Sequence, residues 1–278
     1  MLKFLFIIGF HIIYLCSVRA EEATFLVPHR VVYDFQMDNA SWDPVIIGMS
    51  GRMVHEIKGS ACQGYTTHTS LVVRVYTEGM PVRLMSQEVK TYTTGDGHRF
   101  HFDIKKIMEQ NVGKNTEGIA EITKDGTLVK LKKPGENVYK LEKADFPITS
   151  LKNIIRHAKA GHRFYNTTLF DGDNGGDRVI KESVVIGEKK KSVSDSEIKE
   201  LKKLDENGYW HVIVSHFDDT KNKDGLPIYR QSFHLYENGV MRHLLIDYGD
   251  FSIRLKLKSL QFLDEKNDLH NCKLNNIK

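Results

Sequence analysis

Apolar and polar residues alternate along most of this chain. In RVVYDFQM, Val31, Tyr33, Phe35 and Met37 share one phase while Asp34 and Gln36 take the other. In SIRLKLK, Ile253, Leu255 and Leu257 alternate with Arg254, Lys256 and Lys258. A period of two belongs to a strand with one dry and one wet face. Similar stretches, rich in β-branched and aromatic residues, lie near 45–58, 64–77, 81–94, 97–104, 117–123, 127–133, 162–170, 178–187, 209–217 and 228–236. Asp96-Gly97, Asp125-Gly126, Asp171-Gly172 and Asn238-Gly239 punctuate them, and such pairs supply the positive φ of a tight hairpin. Roughly a dozen antiparallel strands in succession do not stay flat. The expected architecture is a single curled antiparallel sheet, a β-spiral or partly open barrel.

One helix interrupts the strands. In FPITSLKNIIRHAKAG, Leu151, Ile154, Ile155 and Ala158 mark one face, with Thr149 as N-cap and Gly161 just past the C-terminus. This helix should pack against the sheet and cover an open face or edge. A second helical pattern opens on Ser194 and Glu197, a capping box, and carries Ile198, Leu201 and Leu204 on one side. Residues 188–206 hold six Lys against six Asp and Glu, the balance of a solvated insertion. No fixed-period repeat and no Pro/Gly/Ser-rich linker divides the chain, so 21–278 reads as one domain.

The first twenty residues, MLKFLFIIGFHIIYLCSVRA, place Lys3 before an apolar run from Phe4 to Leu15, then Val18 and Ala20 where a signal peptidase reads. A signal peptide over 1–20 implies export, and no second run is long enough to span a bilayer. Of three cysteines, Cys16 would leave with the signal. Cys62 and Cys272 would remain in an oxidising compartment, where an even count favours a crosslink. Histidines near Cys62 admit a nucleophile, but no catalytic signature surrounds it, and two cysteines without CxxC spacing make a poor zinc site. The formal charge of +4 falls to +2 once Lys3 and Arg19 depart. That balance carries no nucleic-acid footprint.

Other motifs explain themselves without chemistry. Asp171, Asp173, Gly176 and Glu182 fall at positions 1, 3, 6 and 12 of a calcium loop, but the strand-like HRFYNTTLF precedes them where an EF-hand needs a helix. Asp218 and Asp219 read as turn formers. Ser50 in GMSGR lacks the strand–turn–helix context of a nucleophile elbow. No glycine loop for phosphate or dinucleotide appears, so no cofactor and no catalytic group is expected.

Ordered segments across the chain resemble the EipB family of alphaproteobacterial cell-envelope-integrity proteins. These are VPHRVVYDF, SGRMVHEIKGSACQGY, DGHRFHF, EGIAEI, DFPITSLKNIIRHAKAGHRFYNTTLFDGD and FHLYENGVMRHLLIDYGDFSIRLKLKSLQFL, followed by Cys272. The resemblance implies a periplasmic β-spiral closed by a disulfide between Cys62 and Cys272, and a role in maintaining the envelope. It brings no catalytic residues. The chain departs from the pattern in the 188–206 insertion and in DIKKIMEQNVGKN, both expected in loops.

The functional expectation is a non-enzymatic scaffold or binding module whose partners are other envelope proteins or lipids. The alternative is a carrier or sensor of a lipid or other apolar ligand on the concave face of the sheet. Tyr33, Phe35, Trp210 and Phe233 would line such a groove or serve as ordinary core. A hydrolase acting on envelope polymers would require clustered acids or a Ser/His pair inside the groove.

Overall fold

The computed structural model describes residues 24–40, 46–108, 111–173, 175–191, 208–220 and 224–263. The expected signal peptide, Cys16, the helical pattern near 194–204 and Cys272 lie outside the described residues. In chain order the elements are β1 His29–Ala40, β2 Ile46–Ser60, β3 Gly64–Thr77, β4 Arg83–Thr93, β5 Arg99–Met108, β6 Asn111–Thr123, β7 Gly126–Lys133 and β8 Asn137–Leu141. Helix α1 Pro147–Lys159 follows. Then come β9 Phe164–Leu169, β10 Ile180–Lys190, β11 Tyr209–Phe217, β12 Tyr229–Tyr236, β13 Met241–Asp247 and β14 Phe251–Phe262.

All of these strands join one antiparallel sheet in the order β8-β7-β6-β5-β4-β3-β2-β1-β14-β13-β12-β11-β10-β9. Each neighbour in space is a neighbour in sequence, with one exception. β1 pairs with β14 along its length, from His29 opposite Phe262 to Ala40 opposite Phe251. The two edges, β8 and β9, are consecutive in the chain and flank α1. The fold is a circular succession of hairpins with a gap at the helix.

The closure expected from sequence is not made by the sheet. β8 has five residues, and after it the chain turns into α1 instead of pairing across the gap. Asp145 bonds to β9 through its backbone: its N–H donates to the Thr168 carbonyl at 2.8 Å, and its own carbonyl accepts from Phe170 N–H at 2.9 Å. The crosslink expected to close the sheet has its second sulfur, on Cys272, outside the described residues. Cys62 lies in the β2–β3 turn and is not a free thiol.

The alternation read in the sequence sets the faces. Val31, Tyr33 and Phe35 are buried with Ile253, Leu255 and Leu257 across the β1–β14 seam. Outward neighbours form ion pairs, as where Arg254 grips Asp38 through two nitrogens at 2.7 and 2.9 Å. In GMSGR the requirement falls on Gly51, because a Cβ there would sit 2.4 Å from the Phe35 ring and 2.1 Å from the Val72 carbonyl. That glycine lets an aromatic lie flat on β2.

Helix α1 departs from its expected start. Phe146, not Thr149, is the N-cap, and no side chain caps it. Pro147 fixes the first helical φ, and Phe146 is buried completely, so hydrophobic anchoring replaces the cap hydrogen bond. Gly161 fulfils its expected role with φ of 81°. The buried face of α1 carries Ile148, Ile154, Ile155 and Ala158. It packs with Ile57 and Tyr65 from one side of the curl and with Val184, Val212, Val214 and Leu235 from the other. DIKKIMEQNVGKN is not a loop: its ends extend β5 and β6 as a long hairpin.

Beside the gap, Phe100 stacks on Phe146 at 5.0 Å and meets Phe170 edge-on at 6.3 Å, while Phe102 meets Phe170 at 5.6 Å. Phe146 therefore holds the sheet and the helix together where no strand pairing does. Phe146→Ala should lower the unfolding free energy measured in urea by about 3–5 kcal/mol, and Phe146→Leu by clearly less.

Candidate functional site

The curl leaves a cavity of about 470 Å³ between α1 and the inner face. One part of its wall is apolar, with Ile57, Val89, Ile104, Leu151, Ile154 and Phe233. Of the four aromatics weighed as groove lining or core, Phe233 lines the cavity, while Tyr33, Phe35 and Trp210 are core. Phe233 is also buried in the core cluster around α1, so it belongs to both.

The other part of the wall is polar. Glu182 on β10 and His216 on β11 are each only 4% exposed, and their side chains approach at 3.2 Å between Oε1 and Nδ1. Ser150 on α1 directs its Oγ toward Glu182 Oε2 at 3.5 Å. The Tyr229 ring stacks on the imidazole with centroids 4.2 Å apart. Burial, followed by the Asp171 charge, pushes the Tyr229 hydroxyl pKa up. Asp171 follows β9, and its Oδ1 accepts from the Asp173 N–H at 2.9 Å. Burial pushes the Asp171 carboxyl up from its ordinary value. Asp173 is held from across the curl by Lys106 at 2.6 Å and Gln87 at 3.2 Å.

The calcium-loop spacing dissolves in this geometry. Glu182 lies within a strand, paired with His216, and strands β9 and β10 stand where an EF-hand has helices. Asp218 behaves as the turn former expected of it, accepting from Thr220 N–H at 3.0 Å. Acids and a histidine do converge inside the curl, as a hydrolase would require. The serine nonetheless points to the carboxylate, so Ser150 and His216 do not form a nucleophile–base pair. Among the described residues, no group of three His, Cys, Asp or Glu side chains is placed to hold a metal ion.

Sequence reasoning weighed Glu182 only as the twelfth position of a calcium loop and passed over His216, although their phase marks them. Ile180, Glu182, Val184 and Ile186 share the buried phase of β10, as Trp210, Val212, Val214 and His216 share that of β11. An ionisable residue in an otherwise apolar phase is the signal.

Three comparisons bear on kinship. The family model described as EipB-like matches residues 20–264. The chain belongs to the EipB-like family. It is 42% identical over 256 residues to the cell envelope integrity protein EipB of Brucella abortus (strain 2308), covering 92% of this chain and 91% of the relative. It also superposes, with a TM-score of 0.81 and 41% identity, on a Brucella abortus crystal structure described as a β-barrel-like protein of the domain of unknown function DUF1849. That match covers 86% of this chain and 99% of the other.

Two histidines, His55 and His29, make the fold sensitive to acid. His55 lines the cavity and shares a hydrogen bond with Thr69 Oγ1 at 2.7 Å. Burial, then the His29 and His68 charges, pushes its imidazole down to about 4. His29, whose Nδ1 donates to the Val27 carbonyl at 2.6 Å, is lowered by burial as well. Between the ordinary histidine value and about 4, the unfolded chain binds more protons than the folded one, so stability falls as pH falls. Each such proton costs about 1.4 kcal/mol per pH unit. Urea unfolding at stepped pH should show this decline below about pH 6.5, and His55→Gln should flatten it by about one proton.

Proposed function

We propose that this chain is an exported, non-enzymatic protein of the periplasm that maintains cell envelope integrity as a binding module. The cavity between α1 and the sheet carries the reading: its volume falls in the range of small-ligand sites, and its wall is largely apolar with a few convergent polar groups. The named relative is a cell envelope integrity protein and supports the envelope role. The form of the reading that the cavity favours is carriage or sensing of an apolar ligand, with envelope lipids or proteins as partners.

The reading is tested by complementation. In a strain lacking the protein, the wild-type copy should restore growth under detergent or cell-wall stress. Leu151→Trp, which fills the cavity, should be exported and folded by near-UV circular dichroism yet fail to restore growth. Full rescue by that variant would refute the binding reading while leaving the envelope role intact.

The export reading also assigns the cysteines. We infer a disulfide between Cys62 and Cys272. His29 pairs with Ile57 on one side and Phe262 on the other, so β2 and β14 end at the same margin of the sheet. Cys62 follows Ile57 by five residues and Cys272 follows Phe262 by ten, a tether that reaches roughly 30 Å when extended. Closing a loop of 210 residues is worth on the order of 5 kcal/mol at most in the chain-entropy model. The Cys62→Ser, Cys272→Ser double variant should melt well below wild type under oxidising conditions, and an unchanged melting temperature would refute the crosslink.

A further inference from the structure

The polar part of the cavity wall is short of hydrogen-bond donors. Asp171 and Glu182 as carboxylates only accept, and each has several lone-pair sites. On Asp171 the donors are the backbone N–H groups of Asp173 and of Asp171 itself, and on Glu182 the Ser150 hydroxyl at a long 3.5 Å. His216 Nδ1 lies 3.2 Å from Glu182 Oε1 without making a hydrogen bond. Both ring nitrogens are buried, and neither has a hydrogen-bond partner among the described residues. Asp173, by contrast, is already neutralised by Lys106.

Buried acceptors without donors cost free energy, and buried carboxylates cost more unless a cation meets them. A group with several donors and a positive charge answers both. An anionic head would meet two carboxylates, and a hydroxyl offers a single donor. The apolar wall beyond, with Ile104, Leu151 and Phe233, provides for a hydrocarbon body.

We propose that Asp171, Glu182 and His216 form a head-group site for an amphiphile bearing a primary ammonium, with its chain lying along α1. The proposal deepens the reading of the cavity as a ligand site and rests on it. An ammonium has three donors to share among the two carboxylates and a ring nitrogen of His216. The arrangement is a selectivity device: charge-assisted hydrogen bonds choose the head, and apolar area holds the tail.

Isothermal titration of the full mature protein with decylammonium, decanol and decanoate below their micelle concentrations tests it. Decylammonium should bind tenfold or more tightly than decanol, and decanoate more weakly than either. Asp171→Asn keeps a side-chain carbonyl to accept from Asp173 N–H, and it should remove most of the ammonium-over-decanol preference. Leu151→Trp should abolish binding of every probe. Equal affinity for the three heads, no effect of Asp171→Asn, or decylammonium binding that survives Leu151→Trp would overturn the head-group site. If decanol binds to the wild type with no ammonium preference, the head-group site alone falls. If no probe binds, the ligand-site reading falls with it.

Discussion

The antiparallel pairing of β1 with β14 is the constraint on which the rest depends. It joins the beginning and end of the described chain into one ladder, so the remaining strands need only follow as hairpins in either direction. Hairpin neighbours pair locally and at low entropic cost, but β1 and β14 meet only after some two hundred residues have been ordered. The side chains along that seam suit the demand. Val31, Tyr33 and Phe35 meet Ile253, Leu255 and Leu257 inside, while Arg254 and Asp38 meet outside. Burial rewards the long-range pairing, and outward charges fix which face is wet.

Once the ends are joined, the two sheet edges fall together at the middle of the chain. An exposed edge invites pairing with another molecule. Here α1 and the segment before it occupy that space: Asp145 covers part of β9, and its side chain accepts from Asn153 of the helix at 2.7 Å and from Thr167 of β9 at 3.3 Å. The Phe100, Phe102, Phe146 and Phe170 cluster draws β5 toward β9 without a ladder between them. A helix is wider than a strand and its side chains project radially, so it cannot fill a curled sheet evenly. The cavity is what remains between its Ile148–Leu151–Ile154 side and the inner face.

Much of this was legible from residue order. Alternation located the faces of β1 and β14, Asp-Gly and Asn-Gly placed turns, and the periodicity of Ile154, Ile155 and Ala158 identified the helix face. What escaped was written at longer range. β8 has no buried residue in NVYKL and is a strand only because β7 offers it a ladder. The hairpin through DIKKIMEQNVGKN has lysines in place of a clean alternation, so its pairing follows from the neighbouring ladder of β4. Thr149 looked like a cap because capping is local chemistry, whereas Phe146 starts the helix by burying a ring against β5, which sequence spacing does not reveal. The cavity wall was hidden for the same reason: Glu182 and His216 are 34 residues apart and meet only because β10 and β11 pair in one register.

That register places the ionisable pair at an energetic disadvantage. Glu182 lies opposite His216 in the ladder, on the inward phase, beside Val184 and Val214. Replacing buried ionisable groups with apolar side chains of similar volume is often neutral or stabilising, so stability does not account for the pair. A stack of Tyr229 on the imidazole and the long hydroxyl contact from Ser150 hold the pair without saturating it. A polar cluster that only specified the fold would be expected to satisfy its own hydrogen bonds, because unsatisfied members weaken the structure. Under the binding reading the shortfall has a use: the interior keeps acceptors unspent, and the molecule that supplies the missing donors is held in place of a drier, better-packed core.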